Sequence, residues 1–275
     1  MRTKTIGHPG RRLVPQGMPW LLPALVLSVG LIYYCVGYVC YISTLDWDGV
    51  SSKRDFIGLA NYVKLFRDPV FWDILQHVLI FFVVGFAAEW ILGLSIAVML
   101  HSKVRFAGLY RVIVFLPALL AYAVMAPVQR HIFALDGTLN SALKAIGLDS
   151  LTRPWLADGS TTLWVVILVQ TWHSVGLAFI LFYAAISQID PEILEAARLD
   201  GAGNLRVVTA VIVPGVRSTS VALAILFAIN SLKTFEIPWL VTMAGPNHAS
   251  EFLGTYIYQY AVQRNKMGYA GAVSV

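Results

Sequence analysis

Five long apolar blocks set the terms for this chain: Trp20–Leu45, Ile74–Leu100, Leu109–Gln129, Thr161–Ile186 and about Ser218–Met243. Each is long enough to cross a bilayer as a helix, which takes roughly 20 apolar residues. A sixth block begins near Met267 and runs to Val275. The apolar residues fill these blocks all round instead of recurring on one face, as they do on the surface helix of a soluble protein. Composition agrees. Of 275 residues 58% are hydrophobic and 13% charged, with a mean hydropathy of +0.71, whereas a soluble domain carries about 25% charged residues. A soluble fold cannot absorb that shortfall, because its surface must still meet water. The expected fold class is all-α: a polytopic transmembrane helical bundle with five complete spans and the start of a sixth. One transmembrane domain covers residues 20–275 behind a tail, 1–19, and no internal repeat or linker divides it.

Arg11 and Arg12 precede the first block. That block is too long for the core of a signal peptide, and no small-x-small cleavage site follows Leu45, so a retained first helix is expected. Lys and Arg set the orientation, since they accumulate on the cytoplasmic side. The tail carries Arg2, Lys4, Arg11 and Arg12 without an acid, and the turn His101–Arg111 carries Lys103, Arg105 and Arg111 without one. Asp46–Asp73 has four bases against five acids, and His131–Ser160 sets Lys144 and Arg153 against Asp136, Asp149 and Asp158. The N-terminus and the Lys103 turn are therefore assigned to the cytoplasm. Alternation puts Ser187–Arg217 inside and Ala244–Lys266 outside. The net charge of +5 is accounted for by topology and does not point to nucleic acid. Phe56–Phe66 and Thr138–Leu148 in the outer loops read as short helices at the interface or against a partner. Cys35 and Cys40, five apart in the first block, fall on different sides of a helix and read as unbridged packing residues.

The inner segment Ser187–Arg217 contains DPEILEAARLDGAGNLRVVTAVIVPG. Asp190 suits a helix N-cap and Pro191 the first helical position, and Glu192 puts negative charge where the helix dipole favours it. A helix Pro191–Leu199 is expected to stop at Gly201, where glycine tolerates positive φ. A second helical stretch then runs from Asn204 to Val213, and Pro214 opens the next span. Glu195, Ala196, Ala197, Asp200, Gly201, Ala202 and Gly203 give this unit small side chains for close approach and charge for pairing. Residue chemistry alone leaves two readings open, a knob for a soluble partner's groove or a plain connector.

This segment resembles the signature loop of membrane subunits in binding-protein-dependent ABC importers. That signature reads Glu-Ala-Ala, three residues, Gly, nine residues, then Ile-x-Leu-Pro. Here Glu195-Ala196-Ala197 is followed by Gly201, and nine residues on by Val211-Ile212-Val213-Pro214, with Val at both aliphatic positions. The form Glu-Ala-Ala-x-x-Asp-Gly-Ala, present as Glu195–Ala202, resembles the maltose-permease-like carbohydrate branch. Phe56–Trp72, Val114–Val128 and Lys233–Ala261 are similar to the first outer loop, third span and fifth span of the same family. The chain departs from the pattern at Ala244, where a first Gly of Gly-Gly-Pro is usual, and at Leu205 and Val208, where aromatics are common.

The resemblance implies a division of labour. An extracytoplasmic solute-binding protein delivers a sugar, polyol or sugar derivative. This chain and a second related permease subunit form the pathway, and two cytoplasmic ATPase subunits bind ATP and Mg. The 187–217 loop, through Glu195, Ala196, Ala197, Asp200, Gly201, Ala202 and Pro214, would seat in an ATPase cleft. The chain itself has no phosphate-binding Gly-x-x-x-x-Gly-Lys-Ser/Thr loop, no His/Cys cluster at metal-ligand spacing and no nucleophile elbow. No catalytic residue, metal or cofactor is assigned to it.

Charged and polar residues inside spans are costly in lipid and usually face a bundle interior or a water-filled path. Lys233 and Glu236, three apart, would share a helix face and could pair. With Asn230 one turn earlier they either line a solute path or lock helices together. Gln170, Trp172 and His173 cluster in the fourth block, where Gln170 and His173 either meet sugar hydroxyls or make interhelical hydrogen bonds. Glu89 has no evident partner in sequence and reads as structural. An ion-gradient-driven secondary transporter using Glu89, Lys233 and Glu236, or a non-transporting membrane scaffold, remains the alternative, and neither has a use for the signature loop. The sixth block, about 13 Å of helix at 1.5 Å per residue, covers under half of a bilayer core of about 30 Å, so a longer natural chain is expected.

Overall fold

The computed structural model describes residues 18–102 and 105–275. Arg2, Lys4, Arg11, Arg12 and Lys103, which carried much of the orientation assignment, lie outside the described residues.

The chain opens with α1 (Met18–Ser43), whose apolar side chains are largely exposed on the isolated chain, Cys35 and Cys40 among them. These cysteines were expected to pack; they sit instead on the outer surface of the chain. Two strands follow, β1 (Leu45–Asp46) and β2 (Asp55–Phe56), paired antiparallel with Leu45 opposite Phe56. This small ribbon is absent from the all-α expectation. It forms because Asp48 closes the turn, its Oδ1 accepting from Val50 N at 2.9 Å and Ser51 N at 2.7 Å, a local carboxylate-to-backbone pattern common in turns. The first outer helix consequently starts later than Phe56, as α2 (Ala60–Arg67). Asp68 caps α3 (Pro69–Ile80) through Val70 N at 3.0 Å. A π turn, Phe81–Gly85, leads directly into α4 (Phe86–His101), giving an unbroken helix of 33 residues.

The predicted third span, Leu109–Gln129, is broken. It consists of α5 (Ala107–Phe115), a 3-10 turn Leu116–Leu119 and α6 (Tyr122–Phe133), with a bend of 97°. Pro117 supplies the cause, since it has no N–H to continue the ladder. After α7 (Thr138–Ala145) comes α8 (Gly159–Ile186), a straight span capped by Asp158. The segment 187–217 holds α9 (Pro191–Leu199), α10 (Asn204–Val207), a π turn Val208–Ile212 and α11 (Val213–Gly215). A 66° bend separates this stretch from α12 (Arg217–Lys233).

The predicted fifth span also fails to run through to Met243. Helix α12 stops at Lys233, Thr234 is extended with ψ 123°, and a π turn Pro238–Thr242 resumes beyond. The ring of Pro238 conflicts with the carbonyl four residues earlier, which is that of Thr234, the residue at the break. The chain then forms α13 (Leu253–Tyr258) and α14 (Met267–Ser274). Among the described residues three helices are long and apolar enough to cross a membrane unbroken, and the count reaches five if each bent pair is one span.

Helix α8 is the centre of the bundle. Its N-terminal half packs in one cluster with Ile74, Phe81, Phe227 and Phe252, and its C-terminal half in a second with Leu94, Ala97, Val207 and Val216. Small residues permit the close approach expected where lipid offers no hydrophobic drive between helices. A Cβ on Gly93 would meet the Cβ of Ala178 at 2.8 Å, and one on Gly176 the Val114 carbonyl oxygen at 2.7 Å. The small residues of the sixth block act the same way: a Cβ on Gly268 in α14 would fall 1.9 Å from the Leu45 carbonyl oxygen.

Candidate functional site

The two helix breaks meet across one cavity. Tyr122 begins α6 just past the first break, Gln170 stands at mid-length of α8, and Asn230 and Lys233 occupy the last turn of α12. Thr234, Glu236 and Ile237 follow at the second break. These seven residues line a cavity of about 280 Å³. Unwound backbone inside a membrane span is tolerated where it is buried in protein or lines such a cavity. The first break is satisfied from α8, where His173 Nε2 lies 3.1 Å from the Leu120 carbonyl oxygen. At the second, Thr234 Oγ1 donates back to the Asn230 carbonyl oxygen at 2.8 Å.

Of the five residues proposed for a solute path, the fold brings Gln170, Asn230, Lys233 and Glu236 together and leaves out His173. His173 is buried behind the wall, with its ring against Tyr122 at 4.4 Å between centroids. It supports the cavity and does not line it, because the broken third span presents a free carbonyl on that side of α8. Trp172 is exposed on the outside of the chain. The expected Lys233–Glu236 pair on one helix face is also corrected. The helix ends between them, and among the described residues neither makes an ion pair within 4 Å. Sequence reading missed Tyr122, Thr234 and Ile237. The prolines at 117 and 238, each inside an apolar block, were the available signal.

Glu89 lies within the bundle, not on its surface. It is 6% exposed, and its Oε2 is 2.9 Å from Ser174 Oγ.

The loop 187–217 has a definite geometry. Asp190 Oδ1 accepts from Glu192 N at 3.0 Å. At the other end of α9, Gly201 N donates to the Arg198 carbonyl oxygen and Ala202 N to that of Ala197, both at 3.0 Å, with Gly201 at φ +80°. This is a Schellman stop, in which the left-handed residue and its successor reach back to close the helix. It gives a physical reason for the spacing Ala197, Gly201, Ala202: a closing carbonyl, a residue without Cβ, and a small successor. Leu194 and Ala197 pack inward with Val207, Ile212 and Val216. Glu195, Ala196, Asp200, Gly201 and Pro214 remain exposed, while Ala202 is half-buried. Leu199 is 89% and Leu205 78% exposed at the tip.

Residues 89–266 match the family described as "Binding-protein-dependent transport system inner membrane component". The chain belongs to this family. The probable ABC transporter permease protein YurN of Bacillus subtilis (strain 168) is 36% identical over 258 residues, 93% of this chain and 88% of its own length. The lactose transport system permease protein LacF of Rhizobium radiobacter is 30% identical over 263 residues, 94% of this chain and 88% of its own. A crystal structure of a bacterial ABC transporter involved in the import of the acidic polysaccharide alginate superposes with a TM-score of 0.75. It covers 94% of this chain and 89% of that one at 22% identity, a likeness of fold. The permease is accordingly a multi-pass protein of the plasma (inner) membrane. Its matched region contains the inner loop and all of the cavity.

Proposed function

We propose that the permease is one of two channel-forming subunits of an ATP-driven importer for a sugar, polyol or sugar derivative. The observation that carries the solute class is the cavity between the two helix breaks. Tyr122 offers a ring face, and Gln170, Asn230, Lys233 and Glu236 offer donors and acceptors of several geometries, the mixture that suits a polyhydroxylated solute. Relatives named for lactose and for multiple sugars support the same class. On this reading the N-terminus is cytoplasmic, an extracytoplasmic binding protein loads the cavity, and a second related permease closes its open side. ATP and Mg reside in two partner ATPases, one of which holds the exposed tip of α9, with Glu195 against a basic or polar surface. The crystal structure of the alginate transporter with a periplasmic protein carrying an alginate pentasaccharide is consistent with that arrangement.

Purification of the intact complex through this chain tests the reading. The expected result is co-purification of a second permease, an ATPase and a binding protein whose eluted ligand is a carbohydrate or polyol. A complex without an ATPase, or a binding protein carrying a peptide or a metal ion, would overturn it.

A further inference from the structure

Glu89 is the single carboxylate of α4, and among the described residues no cation comes within 4 Å of it. Its partner is the Ser174 hydroxyl, 2.9 Å from Oε2. The same hydroxyl lies 2.8 Å from the main-chain carbonyl oxygen of Gln170, whose side chain lines the cavity. A serine hydroxyl has one hydrogen to give and two lone pairs to receive. The Gln170 carbonyl can only accept. When Ser174 donates to Gln170, the Glu89 contact is a hydrogen bond only if Glu89 donates. An ionised Glu89 would hold at most the one Ser174 hydrogen among the described residues, a carboxylate charge with a single donor inside a span, which is costly.

We propose that Glu89 stands as a neutral carboxylic acid that donates to Ser174 and so holds the Gln170–Ser174 turn of α8, one wall of the cavity, in place. Glu89 is a positioning residue: it acts on the wall through Ser174 and does not itself line the cavity. The contact adds a directional bond between α4 and α8 to an interface that otherwise packs apolar side chains, with Gly93 close against Ala178 and Trp90 edge-on to Phe182. Apolar packing carries no donor-to-acceptor geometry, and an interhelical hydrogen bond adds it at this turn. The wall's role in transport rests on the proposal that the cavity lies on the solute route.

The test uses the reconstituted complex with Cys35→Ser and Cys40→Ser, and needs no knowledge of the solute. Gln170→Cys, which keeps the main-chain carbonyl, reports the wall by its rate of reaction with a charged, water-soluble methanethiosulfonate reagent. Infrared spectroscopy reports the carboxylic acid directly. The expected result is a protonated-carboxyl band that persists across the neutral pH range and is missing in Glu89→Gln. Labelling at 170 is expected to be unchanged by Glu89→Gln, which keeps a donor. It should shift roughly 3- to 20-fold in Glu89→Ala, the span set by one interhelical bond in a membrane. Ser174→Ala should shift it equally, and the double variant no further. Absence of the acid band, a Glu89→Gln variant that behaves as Glu89→Ala, or additive effects of Glu89→Ala and Ser174→Ala would overturn the proposal. Should Glu89→Ala not assemble, Ser174→Ala and Glu89→Gln carry the same comparison. A cysteine at 170 that is unlabelled in every background would remove the solute route, and the wall function with it, while the infrared band still decides the state of Glu89.

Discussion

Replacing Gly201 isolates what the inner loop requires of that position. Gly201 sits at φ +80°, and a Cβ built there meets no atom within 4 Å. Steric conflict with the rest of the chain therefore contributes nothing, and the whole penalty comes from the left-handed backbone. For a residue with a Cβ that penalty is about 1–2 kcal/mol, so Gly201→Ala should lower the population of the closed Schellman turn by roughly 5- to 30-fold relative to open forms. Asparagine visits this conformation routinely and should cost much less, whereas a β-branched residue at positive φ is a true outlier and should cost more. The expected order of damage is Gly201→Asn, then Gly201→Ala, then Gly201→Val. Two readouts follow it. Hydrogen exchange at the amides of Gly201 and Ala202, which are bonded to Arg198 and Ala197 only when the turn is closed, should accelerate in that order. ATPase stimulation by loaded binding protein in reconstituted vesicles should fall in the same order, with membrane insertion unchanged. A Val variant with native exchange and native stimulation would refute the reasoning. So would an Asn variant as damaging as Val, because the position would then be excluding side chains and not selecting a backbone.

Glu195→Lys reverses an exposed charge that has no ion-pair partner within 4 Å among the described residues. It should change stability by no more than about 0.5 kcal/mol while reducing recovery of the ATPase with the chain; full recovery would count against the loop as a docking knob. Lys233→Met should leave the melting temperature of the complex nearly unchanged, since no ion pair is lost, and should reduce uptake of whatever solute elutes from the binding protein. A large loss of stability, regained on exchanging the charges of 233 and 236, would instead mark a structural pair. Gly268→Ala drives a Cβ to within 1.9 Å of the Leu45 carbonyl oxygen and should strip α14 from α1 and β1, with severe loss of folded yield. Gly30→Ala in α1, where a Cβ meets nothing within 4 Å, should gain about 0.5–1 kcal/mol, and equal tolerance of both would refute the packing assigned to α14.

The spans and the inner loop were legible because their determinants are local. Block length reads directly as helix length, and the Asp190 cap, Gly201 and the flanking helices follow from residue conformational preferences within a few positions. The breaks were harder. Pro117 and Pro238 were visible, but a proline in a membrane helix either kinks or ends it, and neighbours decide which. Here His173 reaches the carbonyl freed at Leu120, and the Thr234 hydroxyl bonds back to Asn230, so each break has a freed carbonyl met by a side chain. The same tertiary contact moved His173 from the expected lining to a support. The Lys233–Glu236 pair failed for a related reason: spacing of three predicts a shared face only while the helix continues. The partner of Glu89 was beyond sequence reading, because Ser174 lies 85 positions away on another helix.

Placement of the two sites on one helix suggests how work done at the loop would reach the cavity. Val207, Ile212 and Val216 of the inner segment pack against Phe182 and Ile186 at the inner end of α8. Gln170 lies 16 residues up the same unbroken helix, about 24 Å at 1.5 Å per residue. The other covalent route, from the loop straight into α12, passes through the 66° bend after Gly215, where a push along one axis turns mostly into rotation at the joint. Val216 at that joint is fully buried, so the joint is held against α4 and α8 and cannot travel independently. On the proposed coupling, a displacement of α9 by a closing ATPase would be delivered to α8 as a rigid rod, while α12 pivots. These two helices carry different parts of the cavity lining, Gln170 on one and Asn230 and Lys233 on the other, so differential motion between them is the change that would loosen its grip on a solute.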